Sequence, residues 1–268
     1  MTLLAAAAIT GLLAPALVIN SVAWGQSAVP TISAQAPAAV REFTQFQIDH
    51  PDDLAGQDAE AMRLFGSHVQ VRFEGRKDFV DGLVAQREKD TAIEKAKVVP
   101  MDSLNNDVFT VWVIKVNTIY GWEFGGHWDF ADFFAGQTDP DDVATMEFNI
   151  DKCAKLQNLE ITTYDVDGNR TNLGSLRDAN LGANAPIWNI EDKVSGFRNL
   201  ADSGAALVWL NADACPLNHY EGQAAFVYHA VENGSVGNVS ASWGNFSVST
   251  SGSNLELQKS SQPFDFIY

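Results

Sequence analysis

The chain has 268 residues, of which 46% are hydrophobic and 19% charged, and 34 acidic against 17 basic side chains give a formal net charge of −17. This composition is that of a folded protein, and the length suffices for one large β-domain or two smaller ones. The acidic balance argues against a nucleic-acid binder, which needs a basic surface for the phosphates.

Residues 1–24 form an apolar segment without a charged side chain, interrupted by Gly11, Pro15 and Asn20. Three interpretations stay open. A secretory signal peptide usually carries a basic leader, and a transmembrane helix needs about 20 apolar residues without a central proline. The third is a retained arm that packs on a neighbouring subunit or against lipid, and this is the interpretation we expect. Residues 25–40 are predicted to be an extended linker.

The body of the chain has the pattern of β-strands separated by turns. Residues 67–74 alternate, with Val69, Val71 and Phe73 on one face. Further runs that are alternating, or rich in β-branched and aromatic residues, occur at 108–116, 143–150, 159–164, 205–210, 224–231 and 236–250. Turn pairs such as Asp167-Gly168 fall between or after these runs. The spacing predicts an all-β sandwich or barrel.

Few helices are expected. The main candidate is 78–97, where Phe79 and Leu83 share an apolar face. Shorter helical turns are predicted at 58–64, 129–134 and 173–181. Strand-like runs resume on both sides of residue 151, so we place a domain boundary there. The predicted units are an arm and linker over 1–40, a first domain over 41–151 and a second over 152–268.

One turn offers oxygen atoms in the pattern of a calcium loop. Asp165, Asp167 and Asn169 stand at alternate positions, and carboxylate and amide oxygens are calcium ligands. The position of the bidentate Glu is not filled, and Asp-Gly is also a common hairpin turn. These three residues are the candidate metal ligands, and we expect no other cofactor to be required.

The remaining polar candidates favour structural roles. His127 and Asp129 lack a second nearby His, the acidic run 139–142 is typical of a solvated turn, and Cys215 with His219 forms half a zinc pattern at most. The other cysteine, Cys153, has no CxxC partner, and the sequence leaves open whether the two cysteines are bonded.

Enzyme signatures are absent from the sequence. It contains no GxSxG elbow, no GxxxxGK[ST] loop and no GxGxxG after a strand. Paired carboxylates of the glycosidase type stay open, because acidic residues are abundant. Four tryptophans could stack on sugars, although packing is the commoner role in an all-β chain: Trp122, Trp128, Trp188 and Trp243. We predict a protein without catalytic activity.

The order of elements over 67–151 resembles the major capsid proteins of tailless, membrane-containing icosahedral bacteriophages, most nearly the corticovirus type. The matching segments are a strand over 69–76 that ends in Gly75-Arg76, the charged helix to Lys97, the strand 108–116, the segment 129–136 and the acidic strand 145–151. In that family a strand that ends in such a turn feeds a helix and then a central strand of the same jelly roll. The resemblance covers about a third of the chain.

The resemblance implies two jelly-roll sandwiches side by side, pseudo-hexameric homotrimers and an icosahedral lattice over an internal membrane. The expected function is therefore that of a structural capsid protein of the virion. Its partners would be copies of itself, other capsid proteins and the internal membrane through residues 1–24, with no direct contact to nucleic acid. The alternative is a secreted or surface β-sandwich that binds or cleaves glycans, which would need a concave aromatic face and cleavage of the N-terminus.

Overall fold

The computed structural model describes residues 36–74, 109–118, 121–130, 141–191, 193–195, 198–216, 219–232, 235–251 and 255–268. The predicted arm 1–24 and the predicted helix 78–97 lie outside these ranges. Within them the helices are α1 (Ala38–Asp49) and α2 (Leu54–Phe65). The strands are β1 (Gln70–Glu74), β2 (Phe109–Thr118), β3 (Gly121–Phe130), β4 (Asp142–Asn149), β5 (Lys155–Tyr164), β6 (Gly174–Asp178), β7 (Ile187–Ile190), β8 (Val194–Ser195), β9 (Arg198–Asn199), β10 (Ser203–Asn211), β11 (Glu221–Glu232), β12 (Ser235–Ser242), β13 (Asn245–Ser251), β14 (Leu255–Ser260) and β15 (Phe264–Ile267).

Two antiparallel sheets form the body of the protein. Sheet A has the strand order β1-β2-β3-β10-β5, and sheet B has the order β14-β11-β4-β7-β6, with β15 pairing in line with β14 on the same edge of β11. The order β2-β3-β10-β5 opposite β14-β11-β4 is that of an immunoglobulin-type sandwich, with β7 and β6 extending the second sheet. Two small hairpins, β8–β9 and β12–β13, complete the strands.

The prediction of an all-β fold is confirmed, whereas two jelly rolls side by side are not. Strands from the predicted domains 41–151 and 152–268 share both sheets, because β10 pairs with β3 and β11 pairs with β4. These inner strands are buried on both faces and need partners on both edges. A hydrophobic run shows that a strand is buried, but it does not show which other run pairs with it.

One hydrophobic cluster fills the space between the sheets. It draws on both halves of the chain and includes Trp128 of β3, Phe148 of β4 and Phe226 of β11, all at most 1% exposed. Gly126 allows this close packing, because a Cβ there would lie 2.2 Å from the Phe226 ring. Burial of each such side chain contributes about 1.5–3 kcal/mol.

Each sheet also carries a covering layer on its outer face. The helices α1 and α2 cover sheet A, where Phe43 and Leu54 pack on Trp112. The polar hairpin β12–β13 covers sheet B, where Ala241 packs on Val143. Asp53 caps α2 by accepting from the Gly56 N–H at 2.8 Å, and Gly66 ends it in the left-handed region at φ 65°.

Some of the predicted short helical turns agree with the structure and others do not. The helical turn at 58–64 lies within α2, which is longer than expected. The turn predicted at 173–181 is wrong, because β6 occupies most of it and pairs with β7. The turn predicted at 129–134 is wrong at its start, since residues 129–130 continue β3. The helix α1 begins within the segment that was predicted to be an extended linker.

Candidate functional site

A disulfide ties two connections together at one end of the sandwich. Cys153, in the β4–β5 connection, is bonded to Cys215, in the β10–β11 loop, and the two are 62 residues apart in the sequence. The bond answers the question that the sequence left open. It also excludes zinc binding by Cys215 with His219, since a bonded sulfur is not a thiolate ligand.

Aromatic side chains fill the same end. Trp122 contacts Phe266 and Tyr268 with ring centroids 5.6 and 5.7 Å apart, and Tyr220 stacks on Tyr268 at 5.7 Å. The Tyr268 hydroxyl accepts from the Asp151 N–H next to the disulfide. The disulfide and these rings therefore pack against one another at one end of the sandwich.

An open cleft of about 600 Å³ lies beside this end, on the outer face of sheet B. Asn149, Gln223 and Asp265 lie opposite one another on β4, β11 and β15. Asn149 Nδ2 donates to Gln223 Oε1 at 3.2 Å, and Gln223 Nε2 donates to Asp265 Oδ1 at 2.8 Å. Glu221 and Ile267 form the next pair in the register and also line the cleft.

The chemistry of the cleft suits a neutral ligand with many hydroxyl groups. Amide and carboxylate side chains can both accept from hydroxyls, and the amides can also donate. Two carboxylates, Glu221 and Asp265, disfavour an anionic ligand. Ile267 is 59% exposed and offers an apolar edge, as binding sites with a few convergent polar groups usually do.

The candidate calcium turn is closed by its own hydrogen bonds. Asp165 Oδ1 accepts from the N–H groups of Asp167 and Asn169 at 2.9 and 2.8 Å, and the Asn169 amide donates to both Asp165 oxygens at 3.2 and 3.1 Å. Gly168 adopts φ 79°, which glycine tolerates. The turn is therefore closed by hydrogen bonds within the chain, and calcium binding by these three residues stays a prediction. Within the described ranges, no group of three His, Cys, Asp or Glu side chains could hold a metal ion.

The other polar candidates have structural surroundings. His127 is fully buried and stacks on Trp112, with ring centroids 5.0 Å apart, and burial lowers the pKa of His127 to about 3, so the ring is neutral. Asp142, at the end of the acidic run 139–142, accepts from the Tyr228 hydroxyl at 2.7 Å and the Val231 N–H at 2.8 Å. Neither group faces the cleft.

The tryptophans do not form a sugar-stacking face. Trp128 and Trp188 are fully buried in the core, while Trp122 and Trp243 are partly exposed. Trp122 belongs to the aromatic end described above, and Trp243 lies in the turn between β12 and β13. The concave aromatic surface that the glycan hypothesis would favour is therefore not built from these four residues.

A buried polar layer beneath α1 was missed by the sequence reasoning. Glu123 of β3 is 1% exposed, with Thr44 Oγ1 2.8 Å from its Oε1, and Asn158 Nδ2 donates to the same hydroxyl at 3.0 Å. Burial raises the pKa of Glu123 to about 8, the Thr44 hydrogen bond opposes the rise, and the charge of Glu160 adds to it. The available signal was a carboxylate, Glu123, placed between Trp122 and Phe124 in the strand Gly121–Phe130.

Comparison with known proteins gives no family for this chain. No family model matches it, and no curated protein matches it. Among the solved structures that match, two examples show how weak the likeness is. A pore-forming protein is 7% identical over 75% of this chain and 92% of its own, with a TM-score of 0.29. A variant of BcpA, the major pilin subunit of Bacillus cereus, is 11% identical over 74% of this chain and 67% of its own, with a TM-score of 0.28.

Neither helix of the described ranges is long and apolar enough to cross a membrane.

Proposed function

We propose that this protein is an exported β-sandwich that acts by binding, and that the cleft beside the disulfide takes a neutral saccharide. The observation that carries the proposal is the hydrogen-bonded row of Asn149, Gln223 and Asp265 along an open cleft. Such a row presents several hydroxyl-binding groups at fixed spacing, so binding here would rest on hydrogen bonds in place of the concave aromatic face that the sequence-based alternative required. Fixed groups bind with less loss of side-chain freedom than mobile ones.

The disulfide supports the exported location. Disulfides form and persist in oxidising compartments and are rare in the cytosol. Cys215 is only 8% exposed, so its bond with Cys153 lies within the packed structure and is not an accidental oxidation of two surface thiols. The net charge of −17 suits a protein that stays soluble outside the cell.

The capsid function stays a prediction, and the same preparation can test it. Virion surfaces also tolerate disulfides, so the bond is compatible with both locations. A capsid subunit would form stable trimers or particles with interfaces well above about 1,000 Å². A binding module of this kind would be monodisperse without ligand.

The experiment is a saccharide-array screen of the disulfide-bonded protein, followed by titration calorimetry on each hit. Asp265→Ala and Gln223→Ala should each weaken binding by about three- to tenfold, since each removes one hydrogen-bonding partner of the ligand from the row. Asp213→Ala is the matched control, because Asp213 is an exposed carboxylate of the β10–β11 loop outside the cleft. Equal affinity in all variants, or no hit on neutral saccharides, would contradict the proposal. Stable trimers or particles in light scattering would favour the capsid function.

A further inference from the structure

The helices α1 and α2 form a cover over the outer face of sheet A. Beneath this helical cover lie the apolar side chains of Trp112, Ile114 and Val116 on β2 and of Leu207 and Trp209 on β10. All five are at most 2% exposed. Release of the cover would expose this apolar face, so its attachment decides what the protein presents to its surroundings.

At the centre of this attachment lies a hydrogen-bond network whose contacts depend on whether Glu123 is protonated. Thr44 Oγ1 lies 2.8 Å from Glu123 Oε1 and 2.9 Å from the Val40 carbonyl oxygen, and it accepts from Asn158 Nδ2 at 3.0 Å. A hydroxyl has one proton to donate and two positions to accept. All three contacts are satisfied together when Glu123 is protonated, because Glu123 then donates to Thr44 and Thr44 donates to Val40. When Glu123 is ionised, Thr44 donates to it and the hydroxyl contact with the Val40 carbonyl oxygen is lost, although that oxygen keeps the backbone N–H of Thr44 as its helical donor.

The surroundings of Glu123 provide few groups that could stabilise an ionised carboxylate. In the described part of the chain its Oε2 has no hydrogen-bond partner, and neither polar atom of Gln47 on α1 has one. The residues opposite Glu123 in the sheet are Val116 of β2 and Trp209 of β10, neither of which titrates.

The titratable groups nearby do not supply a positive charge. Glu160 of β5 is a second acid, whose pKa burial raises to about 7 against the lowering effect of Arg170. His127, further along the same face of β3, is held neutral by burial. Among the described residues, no cation acts on Glu123 itself.

We propose that Glu123 is a pH-sensitive latch for the helical cover, closed when the carboxyl is protonated and released when it ionises. Burial raises the pKa of Glu123 to about 8, while the exposed acid in the released state titrates near 4.5. The closed state therefore holds a proton that the open state loses, and the stability of the cover falls as pH rises from about 4.5 to 8. The cover is held most firmly below about pH 4.5 and least firmly above about pH 8.

The test is hydrogen–deuterium exchange of peptides that span Ala38–Asp49, read between pH 7 and 8 and corrected for the intrinsic pH dependence of exchange. In the wild-type protein the ionisation of Glu123 should raise the opening constant of α1 by about fivefold over this interval, because opening releases its proton. Peptides from β11 should stay protected, since the cover opens without unfolding the sandwich.

Glu123→Gln keeps the shape and the neutral charge of the protonated acid. It should reduce the change between pH 7 and 8 to the roughly twofold part that Glu160 contributes, and it should leave α1 more protected than in the wild type at pH 8. Glu147→Gln is the matched control: Glu147 is also a carboxyl whose pKa burial raises, but it lies beneath the β12–β13 hairpin, where it accepts from the Gly244 N–H. This control should leave exchange in α1 unchanged.

Two results would overturn the latch. One is wild-type exchange in α1 that does not change between pH 7 and 8, a measurement that needs no variant and so does not depend on how Glu123→Gln folds. The other is equal pH dependence in α1 and β11, which would show global unfolding in place of release of the cover.

Discussion

Removal of the disulfide should cost the protein a large part of its stability. The double substitution Cys153→Ala and Cys215→Ala opens a loop of 62 residues. In the chain-entropy description, closing a loop of this length lowers the entropy of the unfolded chain enough to contribute about 4 kcal/mol at 25 °C. Domains of this size are stable by about 5–15 kcal/mol, so the loss is a substantial fraction of the total.

The assay is urea unfolding followed by far-UV circular dichroism, with the free energy of unfolding obtained by linear extrapolation. The wild-type protein in excess reductant is the matched control and should lose about the same amount as the double variant. A loss below about 1 kcal/mol in both samples would refute the reasoning, because it would mean that the unfolded chain gains little freedom when the bond is absent.

Three further substitutions test the packing and the turn. His127→Phe keeps the stack on Trp112 and removes two ring nitrogens that have no hydrogen-bond partner among the described residues, so the free energy of unfolding at pH 7 should rise by about 1 kcal/mol. It should also remove the loss of stability on acidification from about pH 6.5 to 3, where the unfolded chain binds a proton and buried His127 does not. Gly204→Ala places a Cβ 2.3 Å from the Trp128 ring and should lower the melting temperature, with a cost of about 2 kcal/mol or more. Asp165→Ala removes the acceptor that closes its turn and should cost about 1 kcal/mol in chemical unfolding; a calcium-dependent rise in melting temperature that this variant abolishes would support the predicted calcium site, and no rise would contradict it.

The strands were predictable where burial imposes a pattern on the sequence. The described part of the run 108–116 lies within β2 and the run 224–231 lies within β11, because a strand buried on both faces is largely apolar. Residues 236–250 were predicted as one run, but the turn at Gly244, with φ 68°, divides them into β12 and β13. Pairing was not predictable, since the partners β3 and β10 are more than 70 residues apart.

The helical errors have a tertiary cause. Residues 173–181 carry no strong strand pattern, and β6 forms there because β7 offers it an edge to pair with. The helix α1 carries a mixed buried face of Val40, Thr44 and Gln47, and Thr44 finds its hydrogen-bond partners in Glu123 and Asn158, which lie far away in the sequence. A helix whose buried face is partly polar does not show a clear apolar stripe.

The candidate site could not be predicted from the sequence, because its residues are brought together only by strand pairing. Asn149, Gln223 and Asp265 come from three distant segments and meet only through the register of β4, β11 and β15. Each residue alone is an ordinary polar position on a strand. The calcium candidate was visible because its three residues are close in sequence, and the same closeness allows them to satisfy one another.

The central claim is that the chain is an exported, disulfide-bonded binding protein, and one measurement tests it most directly. The native protein should be isolated from fractionated cells under thiol-blocking conditions and mapped by peptide mass spectrometry without reduction. The account predicts that it is found outside the cytoplasm, with the peptides of Cys153 and Cys215 joined in nearly every molecule. Cytoplasmic protein with both thiols blocked by the reagent would contradict the account.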